Sequence, residues 1–262
     1  MRWELDRYSH LDSPLHHWDP RAKVVGLAGL MVAFAALERL SLVVPMVVTA
    51  GLIYGLSRLP ISYLAQRLRY PGLLILSLVV MLPLVSGETV LWHWGWLALR
   101  QEGLERMVLV ICRFVSILTL SFVLLGTTPF VTLLRSLRSL GLPALMADMM
   151  MLSYRYLFEV GDTLATMRQA MKLRGFQLYR PQQGWVWPDL AAVAHVSALL
   201  GTLLLRSYDR SEQVYKAMKL RGYGQPVGSR GVKSWPDPWS CLGVGLALVW
   251  GVGFVALEYL WL

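Results

Sequence analysis

Five stretches of this chain, residues 24–37, 41–56, 71–85, 107–125 and 239–262, are too apolar for water to be their solvent. Hydrocarbon offers a backbone no hydrogen-bond partners, so a segment placed there has to satisfy its own N–H and C=O groups, which a single segment does as a helix. The pattern therefore predicts an all-α polytopic membrane protein with about five transmembrane helices. Composition agrees: 56% of the 262 residues are hydrophobic and the mean hydropathy is +0.50, beyond the range of an average soluble domain. Several stretches fall short of the roughly 20 residues a span requires. The flanking Arg21, Lys23, Arg58 and Arg69 are accordingly expected to snorkel to the interfaces.

The polar segments orient these spans. The loop after the second stretch carries Arg58, Arg67 and Arg69 without an acid, whereas the loop after the third mixes Glu88, Glu102 and Glu105 with Arg100 and Arg106. The positive-inside bias makes the first of these cytoplasmic, and with it the N-terminus and the region after the fourth span. The N-terminal segment is mixed in charge and does not read as a cleavable leader. The tryptophans of "LWHWGW" suit the membrane–water boundary. Cys112 and Cys241 have neither disulfide nor metal-ligand spacing and read as packing residues.

Residues 129–236 are a different material, with fourteen Lys or Arg against six acids, nearly the whole +9 surplus of the chain. They divide the protein into 1–128 with four spans, a basic helical domain at 129–236, and a last span at 237–262. "GLP" at 141–143 and "WPD" at 187–189 are helix-start punctuation. No further proline interrupts 143–174 or 188–221. Each can be one helix of on the order of 50 Å. The stretch 190–205, "LAAVAHVSALLGTLLL", is apolar enough to pass as a short span. A crossing there would put the ends of the two long helices, which share one sequence, on opposite faces, so it is read as a helix buried against its neighbours at the membrane surface.

Both long helices end in the same six residues, "AMKLRG", at 170–175 and 217–222. Basic residues in a last turn and a following glycine are good helix-stop chemistry, because they answer the orphan carbonyls and the partial negative charge there. Capping does not require the same six residues in the same order. Arg174 and Arg221 are therefore candidate recognition groups: an arginine on a rigid tip is a guanidinium fork suited to carboxylates or carbonyls on another protein. Two such tips suit a partner with two equivalent pockets. Nucleic acid is the other usual partner of basic regions, but no recognised binding fold is present and none is expected to bind. Anionic membrane lipid accounts for the scattered remaining charges.

Several blocks, in order, resemble the transmembrane T component of energy-coupling factor (ECF) transporters, the CbiQ/EcfT family. "LHHWDPRAKVVGL" is similar to the family's motif ahead of its first span, in which Asp19, Pro20 and Arg21 are the structural residues. "LLGTTPFVTLLRSLRSLGLP" resembles its exit from the fourth span. "YRYLFEVGDTLATMRQAMKLRGF" and "RSYDRSEQVYKAMKLRGY" resemble its two coupling helices, each ending in a signature arginine; Leu173 and Leu220 stand where the family often has alanine.

The resemblance implies a coupling subunit of an ECF-type importer in the cell inner membrane. Its partners would be two ABC-type ATPase subunits, docked at Leu173, Arg174, Gly175 and Leu220, Arg221, Gly222, and a small substrate-binding membrane subunit. The cobalt branch is the favoured match, with nickel or vitamin systems as alternatives and a stand-alone transporter as a remoter one.

No G-x-x-x-x-G-K-[ST] loop occurs, so ATP hydrolysis, if used, belongs to a partner. Neither a Ser-His nor a paired-Asp arrangement suggests a catalytic centre, and no cofactor is implied. His10, His16, His17 and Asp19 are too loosely spaced for a metal site, and no metal is assigned to them. His195 reads as packed or hydrogen-bonded, and Met149, Met150 and Met151 as flexible packing. Arg113, inside the fourth span, is a functional candidate by default, with snorkelling from the near end of the span as the alternative.

Overall fold

The structure, a computed structural model, describes residues 13, 15, 18–81, 90–94, 97–175, 190–223 and 238–260. Among them are eight α-helices: α1 (Pro20–Ala36), α2 (Val43–Ser57), α3 (Ile61–Val79), α4 (Gln101–Thr127), α5 (Phe130–Ser139), α6 (Ala144–Leu173), α7 (Leu190–Leu220) and α8 (Pro238–Leu260). The class is the helical membrane class the apolar stretches require. A short antiparallel ribbon, β1 (Val90–Trp94) and β2 (Leu97–Arg100), precedes α4 and was not expected from the tryptophan-rich loop.

Among the described residues, three segments are long and apolar enough to cross a membrane: Leu40–Ser57, Glu102–Thr127 and Trp239–Glu258. The other two apolar stretches extend differently from their sequence boundaries. α1 is 17 residues long and starts at Pro20, taking Lys23 into its first turn. α3 begins ten residues ahead of its apolar run, so Arg67 and Arg69 lie on the helix instead of in a loop, and Pro71 sits in the helix interior.

The chain divides into two compact units, one built on α1 to α5 with α8, the other on α6 and α7. Residue 129, where the sequence divides the chain, precedes α5, whereas the boundary between the compact units falls after that helix, between Pro143 and Ala144.

In the first unit α4 is the hub, with α1, α2 and α3 all packed on it. Phe34, Met46, Leu120 and Val123 are fully enclosed there, and Tyr63 meets Phe122 edge-on at 6.4 Å. α1 and α8 form the other close pair. Phe34 and Phe254 meet edge to face at 5.7 Å. Lipid tails are as apolar as leucine, so helices in membranes associate through tight packing of small residues instead of through exclusion of water. The glycines on this seam fit that rule. A Cβ on Gly251 would touch Ala33 at 3.4 Å, one on Gly26 would touch Ala247 at 3.4 Å, and one on Gly243 would strike the Trp18 ring at 2.9 Å.

The Trp18 ring is itself fixed, since its Nε1 donates to the Ser240 carbonyl (3.1 Å). The Asp19 N–H donates to Ser240 Oγ at the same distance, 3.1 Å, which ties the residues ahead of α1 to the start of α8. Adding a methyl at Gly243 therefore forces apart a seam that cannot yield locally, whereas Gly26 has ordinary contact room and would gain helix propensity. Gly243→Ala is expected to cost about 1–3 kcal/mol and Gly26→Ala to be neutral or stabilising. Thermal unfolding in detergent checks the contrast; equal effects would contradict this packing.

Candidate functional site

The two repeated phrases end their helices in the same way. At the first, the Arg174 N–H donates to the carbonyls of Ala170 (3.2 Å) and Met171 (3.1 Å), and the Gly175 N–H to Lys172 (3.0 Å). At the second, Arg221 donates to Ala217 (3.2 Å) and Met218 (3.1 Å), and Gly222 to Lys219 (3.0 Å). Gly175 and Gly222 have φ of +80° and +78°, the left-handed turn that a side chain at either position would strain. Tyr223 N–H adds a bond to the Met218 carbonyl, the longer-range link of a Schellman cap.

What these caps present is unusual for an ordinary helix end. Leu173 and Leu220 are 84% and 89% exposed. Arg174 and Arg221 are exposed too, and their side chains make no hydrogen bond or ion pair among the described residues. Each tip therefore offers an apolar side chain and an uncommitted guanidinium on a backbone held in place by its cap.

α6 and α7 pack antiparallel. Early α6 meets late α7, where Tyr223 Oη donates to Asp148 Oδ2 at 3.0 Å. Mid-helix, Arg210 pairs with Glu159 at 2.8 Å and lies over the Tyr156 ring at 5.9 Å. Both partners of the ion pair are about half exposed, so it is worth at most ~1 kcal/mol and fixes register more than it adds stability. A cleft of about 770 Å³ runs between the helices, lined by Leu152, Val160, Leu203, Val214 and Met218 among others. Met149, from the run of three methionines, lines it as well. The apolar half of α7 is not buried against neighbours as expected: Leu200, Leu204 and Leu205 are 55%, 73% and 66% exposed.

The other sequence candidates lie in the first compact unit. Asp19 caps α1, its Oδ1 accepting from the Arg21 N–H at 3.0 Å, and Pro20 occupies the first helical position, where its missing N–H costs nothing. The motif thus starts a helix and, through Ser240, holds it to α8. His10, His16 and His17 lie outside the described residues. His195 is exposed on α7. Among the described residues no three His, Cys, Asp or Glu side chains gather into a metal-holding group.

Two basic residues behave otherwise than their positions suggested. Lys23 does not snorkel; it is 1% exposed, and its Nζ donates to Thr127 Oγ1 (3.3 Å), the Thr127 carbonyl (3.5 Å) and Thr128 Oγ1 (3.2 Å). Those acceptors stand at the C-terminal end of α4, where the partial negative charge of the helix favours a cation. Arg113 does not snorkel either. α4 begins at Gln101, ahead of the apolar run, so Arg113 falls mid-span and donates to the Leu37 carbonyl at the end of α1. The N–H of the same peptide, at Glu38, donates to Glu258 Oε1 (3.2 Å), so α4 and α8 hold one peptide from its two sides.

The family model described as CbiQ, cobalt transport protein, matches residues 12–231, taking in both tips and the Asp19–Arg21 cap. The chain belongs to the CbiQ family. Among curated proteins it is similar to the energy-coupling factor transporter transmembrane protein EcfT of Lacticaseibacillus paracasei, 30% identical over 229 residues and 84% of each chain. The protein of the same name from Limosilactobacillus fermentum is 28% identical over 224 residues, 81% of each. That from Listeria innocua is 26% identical over 262 residues, covering 95% of this chain and 96% of its own. CbiQ-family membership makes this a membrane component of a transporter.

In this CbiQ-family chain the Lys23 contacts join α1 to the last residues of α4. Lys23→Ala leaves a cavity and strands buried acceptors, and is expected to cost about 2–4 kcal/mol. Thermal unfolding in detergent measures it; a loss below about 0.5 kcal/mol, the scale of an inert surface change, would show that these bonds hold nothing together.

Proposed function

We propose that this chain is the coupling subunit of an ATP-driven cobalt importer. In this reading two ATP-binding-cassette ATPases grip the tips at Arg174 and Arg221, and α6 and α7 carry their relative movement to a small substrate-binding membrane subunit. The observation that carries the reading is the duplicated tip, with a leucine and a guanidinium left uncommitted on a rigid cap at both places. Each arginine can make charge-assisted, bidentate bonds to a carboxylate or carbonyls in a socket. Each leucine adds about 1.5–3 kcal/mol if that socket buries it. Gly175 and Gly222 turn the chain away from the contact.

The antiparallel packing constrains how the unit lies. Tips at the two ends of such a pair both face the cytoplasm only if the pair runs along the membrane instead of across it. The reading therefore lays α6 and α7 at the cytoplasmic surface, with the N-terminus and the basic residues Arg58, Arg67 and Arg69 on the same side. The exposed apolar face at Leu200, Leu204 and Leu205 is then left for the substrate subunit or for lipid. ATP-driven closure of the motor pair would change the distance between the gripped tips, and two stiff helices would pass that change on.

Cobalt as cargo follows the family description. Nickel or a vitamin is the alternative, favoured by the general energy-coupling names of the relatives. Uptake of radiolabelled cobalt against nickel by the assembled transporter distinguishes them.

Replacing both arginines by alanine is expected to lower ATPase co-purification and solute uptake at least about tenfold, the loss of two charge-assisted contacts of about 1.5–3 kcal/mol each. Full retention of the ATPases would end the proposal. In a variant with Cys112 and Cys241 replaced, Leu173→Cys and Leu220→Cys are both expected to react with an impermeant thiol reagent only from the cytoplasmic side. Labelling of the two from opposite faces would contradict the flat placement.

A further inference from the structure

The cleft between α6 and α7 has a shape and a charge that the tips do not explain. It is lined on α6 from Leu145 to Thr163, on the order of 27 Å of helix. Its volume of about 770 Å³ over that length leaves a mean cross-section on the order of 30 Å². A helix with its side chains is roughly 10 Å across, on the order of 80 Å². A peptide helix can therefore lie over the mouth but not enter, whereas a hydrocarbon chain can.

The walls sort by chemistry. Leu152, Val160, Val214 and Met218 make an apolar floor, to which Met149 adds an unbranched side chain that adapts to a flexible guest. The hydroxyls of Thr163, Ser207 and Ser211 are turned onto their own helices, to the carbonyls of Glu159, Leu203 and Tyr208, each at 2.8 Å. The charged residues among the described lining are Arg206, Arg210, Lys219 and Glu159, three cations against one acid. Arg210 already pairs with Glu159. Arg206, one turn before Arg210 on the same face, makes no hydrogen bond or ion pair among the described residues. Lys219 lies at the other end, where the Tyr223 hydroxyl brings in a second acid, Asp148. The cleft thus has an uncommitted guanidinium at one end, and an apolar floor that reaches Met218 on the order of 18 Å along α7.

Resting on the placement of α6 and α7 at the cytoplasmic surface read above, we infer that this cleft holds one anionic phospholipid, with its phosphate on Arg206 and an acyl chain laid along the floor toward Met218. Cytoplasmic leaflets supply anionic headgroups, and basic pockets on that side of membrane proteins take them. The exposed Leu200, Leu204 and Leu205 continue the apolar surface of α7 beyond Arg206, which gives a second chain its place outside the cleft. A lipid there fills the space between two helices whose direct contacts are modest, so the stiffness of the pair depends on the membrane around it. The thiol labelling described above tests the surface placement by itself, and the two ideas can fail separately.

The test uses the intact transporter, purified with its ATPases and rebuilt into nanodiscs, with a trace of phosphatidylglycerol carrying a photo-reactive diazirine near the end of one acyl chain. Mass spectrometry is expected to place the lipid adduct on peptides containing Leu152 and Met218. The same probe built on phosphatidylcholine, which has a phosphate but no net charge, is expected to label them at least about fivefold less. Arg206→Gln is expected to lower the phosphatidylglycerol adduct by a similar factor, the worth of about one basic residue facing an anionic lipid. Val214→Phe, which fills the floor without changing charge, is expected to displace the probe. Lys216→Gln, which removes a cation paired with Glu212 and not among the cleft residues, is expected to leave the adduct unchanged. Equal labelling by the two lipids, or equal losses in Arg206→Gln and Lys216→Gln, would reduce the effect to general surface attraction and overturn the inference. A photo-reactive phenylalanine analogue in place of Val214 is expected to capture lipid; capture of a polypeptide instead, as when a partner helix covers the cleft, would overturn it too.

Discussion

The antiparallel register of α6 on α7 is the constraint on which the functional geometry depends. A helix end by itself can cap itself and can hold an arginine in the open, as both tips do. Only the packing of one long helix against the other fixes how far apart two such ends are and which way each faces. The contacts that set it are modest: a half-exposed ion pair, a tyrosine hydroxyl on a carboxylate, and apolar side chains along an open cleft. Modest contacts suit the proposed coupling role, because a pair locked by a dry, fully packed seam would resist a change in crossing.

The membrane unit is built on a different principle. Its α1–α8 seam is close, with glycines where a methyl group would collide or touch, and polar bonds to α4 and α8 stand at both ends of α1. Lys23 meets the end of α4 near one end, and the peptide between Leu37 and Glu38 is held from α4 and α8 near the other. In a hydrocarbon surround, polar groups that find partners only in one arrangement specify that arrangement strongly. The result is a rigid frame, in contrast to the compliant helix pair.

Much of this was legible in the chain. Apolar runs gave the class, proline and glycine punctuation gave the limits of α6, and the repeated phrase singled out the tips, because these signals are local and each has one dominant physical cause. The basic flanks misled for a related reason. Lys23 flanks a span, where snorkelling is the general expectation, and for Arg113 it is the alternative to a functional role; only the arrival of Thr127, Thr128 and Leu37 from elsewhere in the chain supplies the acceptors that keep them inside. The antiparallel register was equally out of reach, since Glu159 and Arg210 carry no pairing label in a single sequence. Exposure of the apolar half of α7 was hidden because periodicity tells that a face is greasy and not what covers it.

The bond from Trp18 to Ser240 joins residues 222 apart, and that distance has a meaning in time. During synthesis at about 5–20 residues per second, α1 leaves the ribosome roughly 10–45 s before the residue that completes its seam. Its glycine-lined face must wait in the bilayer without its mate, and α8 has to find it after the intervening spans have already inserted. The helix that closes the frame is thus made after the other described helices, and its late arrival leaves a window in which quality-control proteases and insertion factors of the membrane can act on an unfinished bundle.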